Sequence, residues 1–436
     1  MRYLARFLLV ASLTLGTSLV PASAAPSPSS YIVVLDDAIV DPASVAEAHG
    51  RAYGFQAQFV YSHALKGYAA TLTADAAADV ANDPRVLFVA PDRVLQLPEQ
   101  RALPPQPAQV PSFGVRRIDS DLSSTASGDG QGSVPINVAI VDSGIDPKHP
   151  DLVVGKGINC AAGGRGATSD VQYHGTMVGG IVGALDNTIG RVGVAPGARL
   201  IPVRVSDAEG NIEESDLLCG IDWVTSTRTD RNRKNDIAVA NLSLSDEGTD
   251  DHNCGLTNGD ATHAAICAST AVGVTYVVAA GNDTVDLASV RPASYNEVLT
   301  VTAMEDTDGE PGGLGGPGAP TCGFGSEVQD DTEAFFSNFA TLPEDQDHSV
   351  AAPGVCIGST YPGGLYASDS GTSYSAPFVS GTVALCISAG PCAGLTPTQI
   401  VAKIVSDAAA YNNANLDYGF EGDPNHPTSG TTTATS

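Results

Sequence analysis

The stretch Ile136-Asn137-Val138-Ala139-Ile140-Val141-Asp142-Ser143-Gly144 joins a short apolar segment to a carboxylate and a glycine. A segment of this length that is rich in Val and Ile is typical of a buried strand. Similar segments recur at 200–205, 237–242 and 274–279, and they alternate with helical stretches at 174–185, 215–227 and 261–271. The alternation predicts an α/β fold with a parallel sheet and helices on both faces. Ligands of such sheets bind at the carboxyl ends of the strands, where Asp142 lies.

Composition limits the class of protein. The chain has 436 residues, of which 42% are hydrophobic and 16% charged, so it contains enough apolar material for a packed core. Its 49 acidic residues outnumber the 21 Lys and Arg residues and give a formal net charge of −28. A chain this acidic is repelled by phosphate backbones, which argues against nucleic-acid binding. It also has no basic patch suited to an anionic membrane.

Residues 1–24 have the pattern of a secretory signal. Two arginines come first, an apolar stretch covers 7–20, and the small residues Ala22-Ser23-Ala24 follow. The alternative is a membrane anchor, but the apolar stretch is short and interrupted by polar residues. We therefore expect a secreted, extracellular protein with no membrane attachment after signal removal.

The remainder divides into a small unit and a large one. Between 31 and 97 the apolar and helical stretches follow the order β-α-β-β-α-β, so residues 25–100 are predicted to form a small α+β ferredoxin-like domain. Closely spaced prolines predict an extended linker at 101–111. The main domain is expected at 112–410, and the Thr- and Ser-rich residues 411–436 are expected to be a disordered tail.

An acidic, Gly-rich insertion spans residues 305–334 and contains Gly312-Gly313-Leu314-Gly315-Gly316. A phosphate-binding loop is one interpretation of these glycines. No helix start and no Lys-Ser or Lys-Thr pair follows them, however. We therefore expect a flexible surface loop.

Polar side chains that suit nucleophilic catalysis fall at strand ends or helix starts on one predicted edge of the sheet: Asp142, His174, Asn282 and Ser373. Each has a structural alternative, which is a turn cap for Asp142, helix-end packing for His174, a turn for Asn282 and an N-cap for Ser373. An imidazole pKa near ~6.5 suits proton transfer. A hydroxyl at a helix start lies beside unpaired N–H groups that can hold an oxyanion. The residues Asp, His and Ser follow one another in one of the known chain orders of serine-nucleophile triads. This order favours a catalytic role for the set over the structural roles given above.

Five strings in the same order relate the chain to a known family. They are Val138-to-Asp146 with His149-Pro150-Asp151-Leu152, then His174-Gly175-Thr176, Asn241-Leu242-Ser243-Leu244, Ala279-Ala280-Gly281-Asn282, and Gly371-Thr372-Ser373 with Pro377. In these strings the chain resembles the subtilisin-like serine endopeptidases, or subtilases, over about 112–410. Residues 31–97 resemble the inhibitor propeptide of that family.

The resemblance implies an Asp142–His174–Ser373 triad. Ser373 would attack the peptide carbonyl, His174 would take its proton and pass it to the leaving amine, and Asp142 would orient the imidazole. The side-chain amide of Asn282 and the N–H of Ser373 would bind the oxyanion. The pocket for an extended substrate would be lined by Ser243, Leu244, Ser245, Ala279, Ala280 and Gly281.

The resemblance also implies partners and processing. The partners would be protein or peptide substrates and the chain's own domain 25–100, acting as folding chaperone and intramolecular inhibitor. Self-cleavage between about 98 and 111 would convert the zymogen into a monomeric enzyme that needs no cofactor for catalysis. The alternatives are a catalytically silent binding protein of the same fold and an esterase-type serine hydrolase. No GxSxG or HExxH string is present, which argues against a lipase and a zinc protease.

The chain departs from the family pattern near the site without losing a catalytic group. Ser245 replaces a usual glycine and narrows the expected pocket. Met177 and Phe378 stand where the family commonly has histidines, and Tyr374-Ser375-Ala376 replaces Met-Ala-Ser. Ser349 replaces a usual Asp, which casts doubt on the family calcium site near the carbonyls of Asn296 and Val298. We assign no metal ligands, and structural calcium stays an option for so acidic a chain.

Eight cysteines and the absence of CxxC predict disulfides in an oxidising compartment. Eight cysteines allow about 105 pairings, so the sequence does not decide among them. Our preferred pairs are Cys160–Cys219, Cys254–Cys267, Cys322–Cys356 and Cys386–Cys392. A zinc cluster of His252, Cys254, His263 and Cys267 is the alternative for two of these cysteines, but its spacing is irregular.

Overall fold

The structure is a computed structural model, and it describes residues 28–97, 108–161, 168–311 and 330–414. Several sequence predictions fall outside the described residues. They are the signal at 1–24, the linker residues 101–107, the glycine run 312–316, Cys322, and residues 415–436 of the predicted tail. The prediction of a disordered tail was wrong for residues 411–414, which form the last turn of the helix Pro397–Ala414.

The N-terminal domain is a four-stranded antiparallel sheet with two helices. Its elements are β1 (Ser29–Leu35), α1 (Pro42–Tyr53), β2 (Phe59–Tyr61), β3 (Gly67–Leu72), α2 (Ala74–Ala81) and β4 (Val86–Pro91), with the sheet order β2-β3-β1-β4. Val45 of α1 and Val80 of α2 are buried against Val33 and Tyr68 of the sheet. The predicted β-α-β-β-α-β ferredoxin-like order is confirmed.

Both helices of this domain start at side-chain caps. The Asp41 carboxylate accepts a hydrogen bond from the N–H of Ser44 at 3.2 Å. The Thr73 hydroxyl accepts one from the N–H of Ala76 at 3.2 Å. Each cap satisfies a backbone donor that has no partner within its helix, which explains why α1 and α2 begin where they do.

The main domain is built on a seven-stranded parallel sheet in the order β15-β14-β12-β10-β6-β8-β7. These strands are β6 (Asn137–Asp142), β7 (Ile158–Asn159), β8 (Arg199–Arg204), β10 (Val239–Leu242), β12 (Thr275–Ala279), β14 (Leu299–Met304) and β15 (Ser349–Pro353). The remaining strands form two-stranded sheets outside the large one. They are β9 (Asn211–Glu213), β11 (Asp246–Glu247), β13 (Val290–Arg291), β16 (Ile357–Tyr361) and β17 (Leu365–Asp369) of the main domain, and β5 (Val94–Gln96), which follows the N-terminal domain.

Helices cover both faces of the parallel sheet. They include α3 (Phe113–Arg117), α4 (His174–Gly183), α5 (Glu214–Thr229), α6 (Ala261–Ala271), α7 (Pro343–Gln346), α8 (Thr372–Ala389) and α9 (Pro397–Ala414). Val138 and Ile140 of β6 belong to the core that contains α4, α8 and α9. Ala139 and Val141 belong to the core that contains α5 and α6. Successive strand residues face opposite sides, so the apolar run of β6 is continuous because both sides are buried.

The two domains meet through backbone pairing. Strand β5 pairs antiparallel with β9, matching Leu95 with Ile212. Beyond β5, the N–H of Leu97 donates to the carbonyl of Gly210 at 2.8 Å. Leu95 and Leu97 are both buried. The end of the N-terminal domain is therefore held on the main domain as an added strand.

Disulfides join Cys160 to Cys219, Cys254 to Cys267 and Cys386 to Cys392, which confirms these predicted pairs. Because Cys254 and Cys267 are bonded to each other, they are not zinc ligands. The fourth predicted pair includes Cys322, which is outside the described residues. Among the helices of the described part of the chain, none combines the length and apolarity needed to cross a bilayer.

Candidate active site

The candidate site lies at the carboxyl edge of the parallel sheet. Asp142 is the last residue of β6, His174 is the first residue of α4, and Ser373 is the second residue of α8. The side chains of Asp142 and His174 are fully buried, and Ser373 is almost so. All three residues therefore lie at the carboxyl edge of the sheet, because each is at the end of a strand or the start of a helix.

Close packing brings α4 against the end of β6. A Cβ atom on Gly175 would lie 2.1 Å from the carbonyl oxygen of Gly144 and 3.1 Å from the Cβ of Asp142. Only a residue without a side chain fits there, because real Cβ atoms do not approach a carbonyl oxygen this closely. The glycine after His174 thus allows the imidazole to reach the Asp142 carboxylate.

The Asp142 carboxylate holds the imidazole of His174. Nδ1 of His174 lies 3.0 Å from Oδ1 and 2.9 Å from Oδ2 of Asp142. Oδ1 also accepts the N–H of Ser143 at 2.6 Å. We assign the ring proton to Nδ1 because carboxylate oxygens face it. Nε2 is then the basic nitrogen, and it is buried with no hydrogen bond to any described residue.

Nearby carboxylates act on the charge of His174. Burial alone would lower the pKa of this imidazole, but the charge and hydrogen bond of Asp142 outweigh it and raise the pKa above its ordinary value. The charges of Asp369 and Asp170 raise it further. The hydroxyl of Tyr374 donates to Asp369 at 2.5 Å, and its ring centroid lies 5.5 Å from that of His174. The sequence analysis missed Asp170 and Asp369, since nothing in their local pattern distinguishes them from surface acids.

Ser373 faces the end of β10. Its Oγ donates to the carbonyl of Ser243 at 3.4 Å, and its own carbonyl accepts the hydroxyl of Ser243 at 2.8 Å. No hydrogen bond joins Oγ of Ser373 to His174 in this arrangement, since Nε2 has no partner among the described residues. Rotation about χ1 redirects a serine hydroxyl between staggered positions, and catalytic hydrogen bonds often form only with substrate bound.

Asn282 is exposed and lies beside the start of α8. Its Oδ1 accepts the N–H of Thr372 at 2.9 Å and the hydroxyl of Thr372 at 3.0 Å. A Cβ built on Gly371 would lie 3.6 Å from Nδ2 and 3.7 Å from Oδ1 of Asn282, and 3.8 Å from the N of Ser373. Two N–H donors thus border the volume next to Gly371. The φ of +153° at Gly371 is a conformation that essentially only glycine adopts.

The six pocket residues predicted from the resemblance occupy two neighbouring strand ends. Ser243, Leu244 and Ser245 follow β10, whereas Ala279 ends β12 and Ala280 and Gly281 follow it. The N–H of Gly281 donates to the Thr372 hydroxyl at 3.0 Å, which ties this segment to the start of α8. Ser245 lines a cavity of about 650 Å³, and the same cavity is also lined by Asp246, Glu247 and Asp283.

The predicted departure at Ser349 also has a structural outcome. The Ser349 hydroxyl donates to the carbonyl of Asp345 at 2.6 Å. His263 was one of the two histidines in the alternative zinc cluster. Its Nε2 lies 3.0 Å from Oε2 of Glu297, at hydrogen-bond distance.

Comparison with known proteins relates both domains to a protease family. A family model described as "Subtilase family" matches residues 135–420, and one described as "Peptidase inhibitor I9" matches residues 30–98. The chain belongs to the subtilase family. It is accordingly a serine-type endopeptidase with a propeptide domain of the I9 type.

The similarity to known relatives of this subtilase covers both domains. Subtilisin E of Bacillus subtilis (strain 168) is 30% identical over 362 residues, covering 82% of this chain and 79% of that protein. A subtilisin-like protease of Coccidioides posadasii (strain C735) is 31% identical over 402 residues, covering 84% and 87%. A solved structure of a cold-adapted subtilisin-like serine proteinase matches with a TM-score of 0.49 and 26% identity, covering 68% of this chain and 90% of that one.

Proposed function

We propose that this subtilase is a secreted endopeptidase that cleaves proteins through an Asp142–His174–Ser373 triad, and that it is made as a self-processing zymogen. The observation that carries the proposal is the buried pair of Asp142 and His174. Nε2 of His174 has no hydrogen-bond partner among the described residues. The helix start that bears Ser373 lies beside it, since Tyr374 packs on the imidazole. A base held in this way, next to a serine at a helix start, suits acyl transfer.

The proposed reaction has two halves. Oγ of Ser373 attacks the peptide carbonyl while Nε2 of His174 takes its proton, and Asp142 stabilises the imidazolium that forms. Nδ2 of Asn282 and the N–H of Ser373 bind the oxyanion of the tetrahedral intermediate. His174 then protonates the leaving amine, which leaves an acyl-enzyme on Ser373. In the second half, water attacks the acyl carbonyl while Nε2 of His174 takes its proton, and His174 returns a proton to Oγ of Ser373 as the bond between Oγ and the acyl carbon breaks and the acid is released.

The surroundings of Ser373 suit an extended protein substrate. The segments after β10 and β12 flank the serine and offer backbone for pairing with a peptide, which is how added strands bind. The cavity beside Ser245 would receive the side chain before the scissile bond. Because Glu247 and Asp283 contribute carboxylates to its lining, we expect acidic substrate side chains to be disfavoured there.

Contacts between the domains support intramolecular inhibition by the propeptide. Oδ1 of Asp222 on α5 accepts the backbone N–H groups of Ser62 at 3.2 Å and Ala64 at 2.7 Å. The hydroxyl of Tyr61 donates to the carbonyl of Ser215 at 3.1 Å. Together with the pairing of β5 and β9, these contacts hold the end of the propeptide on the main domain. Cleavage between about 98 and 111 would release it.

One experiment tests the proposed function. The secreted protein is incubated with casein, with and without a serine-directed phosphonate, and the labelled residue and the cut sites are mapped by mass spectrometry. We expect casein cleavage that the phosphonate abolishes, a label on Ser373, and few cuts after Asp or Glu. Hydrolysis of simple esters without casein cleavage would favour the esterase alternative. Absence of both activities, with Ser373 unlabelled, would favour the binding protein.

The pH dependence gives a second test. Substituting Asp369→Asn should move the acid limb of the pH profile of kcat/KM to lower pH. His174 acts as a base only when neutral, and removing a nearby negative charge lowers the pKa of the imidazole, so that the neutral form persists to lower pH.

The Tyr374→Phe variant is the control for the Asp369 substitution. It removes the hydroxyl that donates to Asp369 and keeps the carboxylate charge. Its acid limb should therefore not move to lower pH. Identical limbs in the Asp369→Asn variant and the parent enzyme would contradict the assigned influence of Asp369 on His174.

A further inference from the structure

We propose that Asp306, Asp308 and Asp330 form a binding site for a calcium ion at the base of the insertion 305–334. Asp306 and Asp308 lie at the start of the insertion, and Asp330 lies near its end. One carboxylate oxygen of each residue lies within 4.8 Å of the corresponding oxygens of the other two. The site is separate from the catalytic residues and does not depend on the proposed triad.

The spacing and chemistry of these oxygens fit calcium. Calcium–oxygen bonds are about 2.3–2.6 Å long, so ligands on opposite sides of one ion are up to about 5 Å apart. Oxygens within 4.8 Å of each other can therefore contact the same ion. The set contains carboxylates and no histidine or cysteine, which favours a hard cation over zinc.

Asp306 supplies the independent sign of a ligand. Its side chain is only 4% exposed. Oδ1 accepts the N–H of Asp308 at 3.2 Å and that of Gly309 at 2.7 Å. Oδ2 is buried and has no hydrogen-bond partner among the described residues. A buried carboxylate oxygen without a donor is costly, and a coordinated cation would satisfy it.

Carboxylates and guanidinium groups lie close together at this place. The guanidinium of Arg117 donates to Oδ1 of the buried Asp331 at 2.7 Å. Arg116 donates to the backbone carbonyl of Asp308 at 2.6 Å. The carboxylates of this region outnumber these guanidinium groups, and a divalent cation would offset the excess.

A cation at this place would join the two ends of the insertion. Met304 forms an antiparallel bridge with Glu333, and the N–H of Glu305 donates to the carbonyl of Thr332 at 2.8 Å. The backbone therefore already closes the loop at its base. Ligands from both ends add a second closure just above it. Metal ions that close long loops stabilise a fold by reducing the freedom of the unfolded chain.

Calcium titration tests the site directly. The full chain carrying Ser373→Ala, which keeps self-cleavage out of the measurement, is treated with EGTA, dialysed and titrated with CaCl2 in a calorimeter. We expect a binding heat and a rise in Tm of roughly 5 °C at a calcium concentration about 100 times Kd. In the same background, Asp306→Asn and Asp330→Asn should each lose one calcium equivalent and most of the rise in Tm.

Asp347→Asn is the matched control, because Asp347 is an exposed aspartate of the same domain outside the cluster. This variant should keep both the binding heat and the rise in Tm. If Asp306→Asn does not fold, Asp330→Asn decides by itself. The proposal is wrong if CaCl2 gives no heat with the parent chain. It is equally wrong if the foldable cluster variants keep the same calcium stoichiometry and rise in Tm as Asp347→Asn.

Discussion

Substituting Ser373→Ala should lower kcat on a peptide substrate by about 10⁶-fold, the size of the loss in kcat that removal of the triad serine causes in subtilisin. The variant keeps the fold, because Oγ of Ser373 makes only a long contact of 3.4 Å to the carbonyl of Ser243. Without the nucleophile, no acyl-enzyme forms and the propeptide stays attached. Peptide kinetics and the mass of the secreted protein measure both effects.

Ser375→Ala is the matched control for this substitution. Ser375 lies on the same helix, is fully buried, and its hydroxyl has no hydrogen-bond partner among the described residues. Its loss should change kcat/KM by less than about tenfold and leave processing intact. A processed and active Ser373→Ala protein would remove Ser373 from the proposed mechanism.

Substituting Asn282→Ala should lower kcat by about 10²–10³-fold with little change in KM. The magnitude is that of the oxyanion-hole asparagine in subtilisin. The reason is that Nδ2 of Asn282 borders the volume next to Gly371 together with the N–H of Ser373. Such donors contact an oxyanion that exists in the transition state and not in the bound substrate, so their loss appears in kcat.

Thr284→Ser is the control for Asn282. The exposed Thr284 lies two residues further on, and its hydroxyl donates to the carbonyl of Phe335 at 2.9 Å, a contact that serine keeps. The variant should therefore keep the loop in place and retain kcat within a factor of about three. A loss confined to KM in Asn282→Ala would indicate a substrate-binding role and contradict the oxyanion assignment.

The sequence predicted most of the fold because its signals are local. Buried parallel strands read as short Val- and Ile-rich runs, as in β6, and helix caps such as Asp41 and Thr73 mark helix starts. Strands β14 and β15 were not among the predicted segments. Both mix Ala, Thr or Ser with the larger apolar residues, so that only burial between neighbouring strands identifies them.

Less of the candidate site could be predicted. The positions of Asp142, His174 and Ser373 at strand ends and helix starts follow from local pattern. The influence of the Asp369 charge on His174 does not, because the two residues are far apart in sequence and only the tertiary structure brings them near each other. The unpartnered Oδ2 of Asp306 is likewise invisible in sequence, where the residue resembles any other acid of a surface loop.

The sequence alone therefore determined the type and order of most of the elements and the separate N-terminal domain, because these depend on side chains that are close in sequence. The pairing of the cysteines was left open by the sequence and was decided by the tertiary structure. Only the tertiary structure decided which atoms meet. The contact of 2.9 Å between Nδ1 of His174 and Oδ2 of Asp142 joins residues on different elements, and packing between those elements sets such distances.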